Sequence, residues 1–167
     1  GPHSITRVIG VTKAYTTRVG HGPFPTEFDE VLADTIREVG HEYGAVTGRA
    51  RRCGWLDAVA LRYACQLNGL DELIVTKLDV LDDLAEIQVA ARYRKGAEDA
   101  VFSADARRLS SVKPVYETFE GWKASTKACR RFIDLPVAAR GYVRAIEAMA
   151  ATRVSWVSVG PEREELL

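Results

Sequence analysis

Two kinds of apolar pattern run along the chain. Phe28, Val31, Leu32, Ile36 and Val39 recur at helical spacing, as do Ala139, Tyr142, Val143, Ile146 and Met149. Each set predicts one stripe of an amphipathic helix. Thr26 is the expected N-cap of the first, with Asp29 in its first turn and its end between Gly40 and Gly44; Asp134 with Pro136 opens the last. Residues 57–68 read as a further helix, closed by Gly69. Residues 73–76 are almost wholly apolar, the pattern of a strand covered on both faces. Ile87, Val89, Ala91 and Tyr93 instead alternate with more polar residues, as in a half-exposed strand. Residues 154–159 read as a final strand, stopped by Gly160 and Pro161.

The remaining segments are less regular. Residues 5–18 read as a short turn or helix feeding a strand through Tyr15, Thr16 and Thr17. Residues 21–25 hold two prolines and must be a loop, and the glycine-punctuated, cationic stretch 44–54 reads as another. A short strand is expected at Val101 and Phe102, a small helix over 105–109 and an extended piece over 114–119. Alternation of strands and helices predicts an α/β class, a mixed sheet with packed helices built around strands 73–76, 87–93 and 154–159.

Composition narrows the function. A chain of 167 residues fits one domain with a real core. Basic and acidic residues balance at 23 each, which argues against broad electrostatic binding to nucleic acid or membrane and leaves room for a local anion site. Cys53, Cys65 and Cys129 are odd in number and lack C-x-x-C spacing, so they point to reduced thiols in a cytoplasmic protein, not to a disulfide framework or zinc site. No apolar run approaches the ~20 residues of a membrane span. His3, His21 and His41 show no metal-ligand spacing, with His41 and Glu42 read as a helix C-terminus, and no Ser-His-Asp or Cys-His set can be assembled. Trp55 and Trp122 read as core or interface aromatics.

Three short stretches carry candidate chemistry. Thr76, Lys77, Leu78 and Asp79 end an apolar strand. A carboxylate set edge-on to guanine accepts from both N1–H and the exocyclic amine, while a lysine stem can lie along the base; a solvated lysine and turn aspartate fit the same residues. Thr47-Gly48-Arg49-Ala50-Arg51-Arg52 combines a glycine that allows close backbone approach with arginine forks that match carboxylate and phosphate, although a solvated basic turn has the same composition. In an extended loop, Arg49 and Arg51 would face two different ligands. Ser158, Val159 and Gly160 follow a strand end, where open α/β sheets bind ligands, but where ordinary strand stops also occur.

Taken in order, KAYTTRVGHGPFPTE (13–27), TGRARRCGWLDAVALRYA (47–64), TKLDVLD (76–82), KPVYETFEGW (113–122) and SVGPER (158–163) closely resemble the C-terminal part of the adenylosuccinate synthetase family. The resemblance spans nearly the whole chain. It implies a larger P-loop-type GTP-binding enzyme, a cytoplasmic homodimer that phosphorylates IMP on O6 with GTP and magnesium and displaces the phosphate with the amino group of L-aspartate. By motif match, Ala45, Val46, Thr47, Gly48, Arg49, Ala50 and Arg51 form the aspartate loop, with Arg49 also on IMP and Arg51 reaching toward GTP. Lys77, Leu78 and Asp79 match one guanine-reading strip, and Ser158, Val159 and Gly160 match the other. Val19, with Gly20, matches the stretch that passes the IMP ribose.

Departures accompany the match. Val46 stands where the family usually has threonine and lacks its hydroxyl, Asp83 stands where glycine is usual, and Glu162 where aspartate is. The family's glycine-rich phosphate loop, catalytic aspartate and histidine, and magnesium contacts have no counterpart in these motifs. The expectation is therefore a C-terminal fragment that supplies guanine recognition and aspartate and IMP contacts but is inactive alone. A stand-alone guanine-nucleotide-binding regulatory module is the alternative, and a paralogue with another amino-acid substrate a third. Strands cut from a larger sheet are expected to leave exposed edges.

Overall fold

The computed structural model describes residues 4–167. Its strands are β1 (Ile9–Lys13), β2 (Thr16–Arg18), β3 (Arg52–Gly54), β4 (Leu56–Asp57), β5 (Glu72–Thr76), β6 (Glu86–Lys95), β7 (Glu98–Ala100), β8 (Lys113–Glu120) and β9 (Arg153–Val157). Its α-helices are α1 (Glu30–Val39), α2 (Ala58–Asn68), α3 (Ala106–Leu109) and α4 (Val137–Ala150). The α/β class holds, but the strands divide among three sheets. β1, β5 and β9 form a parallel sheet in the order β1-β5-β9, and β2 pairs antiparallel with β3. β6 is the spine of the third sheet, parallel to β4 and antiparallel to β7 and β8. The strand expected at 87–93 thus lies in a different sheet from those expected at 73–76 and 154–159.

β5 is central because it has partners on both sides, and Leu73 and Val75 are buried as its apolar run predicts. α4 buries Ala139, Tyr142, Val143, Ile146 and Ala150. Each fully buried Val or Ile contributes about 1.5–3 kcal/mol. The Tyr142 hydroxyl donates 2.6 Å to the Ala14 carbonyl, tying α4 to the chain just past β1. Phe119 and Trp122 pack on the same ring, so β8 joins this core.

Several expectations need correction. Residues 9–13 are a strand rather than a turn or helix, because β5 offers them a parallel partner for every residue. Residues 52–54 belong to β3, not to a loop, because β2 lies alongside. The N-cap of α1 is Asp29, whose carboxylate accepts from Leu32 N at 3.0 Å. Thr26 is instead fully buried, its carbonyl accepting from Trp55 N at 2.9 Å. Val31 and Val39 face outward, and Ala33 and Ile36 carry the buried face of the helix. β7 ends at Ala100, and Phe102 stacks on Tyr63 with ring centroids 4.8 Å apart. β9 ends at Val157, so Ser158 and Val159 lie beyond the strand. Pro136 is itself the N-cap of α4, while Asp134 pairs with Arg131 at 2.7 Å instead of capping.

Candidate functional site

The three parallel strands end on one edge, and the chemistry gathers there. β1 delivers Lys13, β5 delivers Lys77 and Asp79 just past its end, and β9 delivers Ser158 and Gly160. This is the side of a parallel sheet on which ligands bind. Leu78 N donates to Ser158 O at 3.2 Å and Ser158 N to Val75 O at 2.8 Å, so the two strips predicted to read guanine are bonded to each other. Together with Val39, Gly40 and His41 at the end of α1, Lys77, Asp79, Ser158, Gly160 and Pro161 line a pocket of about 330 Å³.

Within it the predicted residues differ in what they offer. No side-chain donor binds the half-buried Asp79 carboxylate among the described residues. Burial foremost raises its pKa, and Asp82 adds to this, while its own backbone amide and the Lys127 and Lys77 charges oppose. Lys77 holds a left-handed backbone, φ 60°, a conformation rare outside glycine, and its Nζ donates to Gly40 O at 2.5 Å. The side chains of Leu78 and Val159 are fully buried in the core, so these two positions present backbone only. The Ser158 hydroxyl donates back to Gly160 O at 2.7 Å. Asp82, the second acid of TKLDVLD, is structural: it accepts from Trp122 Nε1 at 2.7 Å and Thr126 N at 2.8 Å. Asp83 is exposed and has a negative φ, so a residue with a side chain fits the turn without backbone strain.

The arginine loop closes as a hairpin, not as an extended segment. Gly44 N donates to Arg49 O and Gly48 N to Gly44 O, while Tyr43 bridges Ala50. Gly48 sits at φ +63°, which suits glycine. Ala45, Val46, Thr47, Gly48, Arg49 and Ala50 are exposed, Val46 almost completely at 97%. Arg49 faces outward with no ion pair among the described residues. Arg51 turns the other way, its guanidinium donating to Glu42 at 2.7 Å. Val19 is exposed in the loop after β2, where Arg52 donates to the carbonyls of Gly20 and Gly22 and pairs with Glu27. Val19 and Arg49 do not line the pocket that holds Asp79.

Glu42 is the feature that sequence reasoning missed. Its side chain is fully buried. Oε1 accepts from Lys13 Nζ at 2.7 Å and from the Tyr15 hydroxyl at 2.6 Å, Oε2 accepts from Arg51, and Lys77 Nζ lies 3.6 Å away. Burial pushes the Glu42 pKa up, but the hydrogen bonds from Lys13, Tyr15 and Arg51 outweigh it and hold the group at about 2. Burial likewise lowers Lys13, against its bond to Glu42, and raises Tyr15, which Glu42 raises further. The signal available in the sequence was thin: a lone acid between Gly40 and Gly44, a few residues ahead of Arg49, Arg51 and Arg52.

The family model for adenylosuccinate synthetase matches residues 1–167. The chain belongs to the adenylosuccinate synthetase family. It is 52% identical over 161 residues to the adenylosuccinate synthetase of Hydrogenobaculum sp. (strain Y04AAS1), covering 96% of this chain and 38% of that relative. It is 51% identical over 168 residues to the chloroplastic adenylosuccinate synthetase of Chlamydomonas reinhardtii, covering 99% of this chain and 36% of that one. Among solved structures, the fully ligated adenylosuccinate synthetase from Plasmodium falciparum superposes with a TM-score of 0.93 at 40% identity, over 98% of this chain and 40% of that chain. The chain thus spans well under half the length of these relatives. Among the described residues, no helix is long and apolar enough to cross a membrane. No group of three or more His, Cys, Asp or Glu among them could hold a metal ion.

Proposed function

We propose that this chain is the base-reading and amino-acid-binding part of a cytoplasmic, GTP-dependent ligase that joins IMP and L-aspartate into adenylosuccinate, GDP and phosphate. The observation that carries the reading is the convergence of Lys77, Asp79, Ser158 and Gly160 on one pocket at the carboxyl edge of the parallel sheet. Asp79 accepts the N1–H and exocyclic amine of guanine, Lys77 lies over the base, and the Gly160 segment closes the rim. Adenine lacks that donor pair, so its entry leaves the half-buried carboxylate unmatched. The exposed loop 45–51 folds over L-aspartate, with Arg49 free to take its carboxylate and to reach IMP beside Val19. Arg51 serves the GTP side from its place on Glu42. Among the described residues no group of three or more His, Cys, Asp or Glu is placed to hold the magnesium ion that the reaction uses.

The test is an assay of the native gene product containing this chain with GTP, IMP, L-aspartate and magnesium. Formation of adenylosuccinate with GTP, and at least 10²-fold less with ATP, is expected, roughly the discrimination a mismatched buried hydrogen-bonding group gives. Equal use of ATP removes the base-reading role of Asp79. Tight GTP binding without any turnover favours the regulatory module instead.

A further inference from the structure

We infer that Glu42 is a positioning residue that couples the base pocket to the substrate loop. The inference rests on the proposed function above. Lys77 follows β5 and Arg51 precedes β3, and among the described residues only Glu42 bonds or pairs with both side chains. The contact to Arg51 is double, since Arg51 N also donates to the Glu42 carbonyl at 2.9 Å. On the Lys77 side, the ammonium is shared between the Glu42 carboxylate and Gly40 O, two residues apart on the same turn.

The turn is built to hold the carboxylate still. His41 adopts a left-handed φ of 50°, which swings Glu42 back under α1, and Glu42 N donates to Arg37 O at 2.9 Å. Gly40 leaves room for the Tyr15 hydroxyl to reach Glu42; an added Cβ would collide with that hydroxyl and with Ile36 O. Three cations, Lys13, Arg51 and Lys77, then surround one carboxylate. With the carboxylate removed, three like charges face each other and both segments must move apart. The base pocket and the loop therefore share one support, and a disturbance of either is felt at the other.

The experiment uses the native gene product containing this chain and two variants. Glu42→Gln removes the charge, while Tyr15→Phe removes one hydrogen bond to the same carboxylate and leaves the charge. For Glu42→Gln, KM for GTP and KM for L-aspartate are each expected to rise about tenfold, the equivalent of one charge-assisted hydrogen bond, with kcat within about threefold. Tyr15→Phe is expected to raise both by about twofold to fourfold. Amide hydrogen exchange supplies a readout independent of turnover: Glu42→Gln speeds exchange across 43–51 and across 77–82 together. A drop in kcat with both KM values unchanged, or faster exchange in only one segment, overturns the coupling. Wild-type protein that forms no adenylosuccinate overturns the proposed function, and the exchange comparison still decides whether Glu42 links the two segments.

Discussion

Replacing Asp79 by asparagine changes the donor pattern of the proposed base pocket without changing its shape. In the proposed complex the carboxylate accepts two hydrogen bonds from guanine, each charge-assisted and contributing roughly 1.5–3 kcal/mol. Asparagine keeps one acceptor for N1–H but sets its own N–H₂ against the exocyclic amine, donor against donor. The loss is then about 3–4 kcal/mol, or roughly 10²- to 10³-fold in apparent GTP affinity. Xanthine carries a carbonyl where guanine carries the amine, so the amide matches it at both positions. The variant should prefer XTP to GTP, where the wild type prefers GTP.

The variant should not lose stability. The Asp79 carboxylate has no side-chain donor among the described residues and its pKa is raised chiefly by burial, so its charge is a burden on the folded state. The sign follows from linkage: a carboxyl raised on folding favours the native state at low pH and loses that contribution as pH rises through its folded pKa. A neutral amide removes the burden, and the thermal midpoint is expected to hold or rise. Steady-state KM for GTP and XTP, measured on wild type and variant alongside thermal unfolding, settles the matter. An unchanged GTP-to-XTP ratio in a folded variant refutes Asp79 as the guanine reader.

Three further outcomes follow from the geometry. The Glu42 carboxyl, lowered from 4.5 to about 2, contributes about 3 kcal/mol above pH 4.5 that is lost as pH falls toward 2; chemical denaturation across that range should show the slope, and Glu42→Gln should flatten it. Asp82→Ala strips partners from Trp122 Nε1 and from Thr126 N, and should destabilise the fold by about 2–4 kcal/mol with a change in tryptophan emission. Val46→Thr, at a position 97% exposed, should change stability by less than about 0.5 kcal/mol, and a lower KM for L-aspartate would identify the added hydroxyl as a substrate contact.

Where the sequence was legible, one local rule dominated. The stripe of α4 was read correctly because five residues repeat at helical spacing and the packing against the sheets agrees. β5 was read because its apolar run suits a central strand: it has a partner on each side, Leu73 and Val75 are buried, and Ile74 is half-buried. β1 was misread because its pattern is mixed until a parallel partner 63 positions away, Glu72 opposite Ile9, supplies its ladder. The same applies to β3, which pairs only because β2 lies beside it. The cap of α1 was displaced to Asp29 because Thr26, an equally good capping residue, is drawn into the wall beside β3. The motifs picked out Lys77, Asp79, Ser158 and Gly160, which share one pocket, but spacing could not distinguish Asp79, with no side-chain donor among the described residues, from Asp82, whose carboxylate binds Trp122 and Thr126.

Glu42 was invisible for a deeper reason. A buried ionic cluster is a poor way to stabilise a fold, since well-packed apolar replacements are often equal or better. Its presence therefore calls for an account other than stability. Position supplies one: the cluster does not sit mid-core but at the carboxyl edge of the parallel sheet, where Lys13, Lys77 and Ser158 emerge from neighbouring strands. There a single carboxylate can fix the angle of an arginine on an exposed hairpin and of a lysine with a left-handed backbone at the same time. Apolar residues could fill that space but could not orient either cation. The network thus orients Arg51 and Lys77 from one buried carboxylate, the arrangement that the proposed base and amino-acid sites would need.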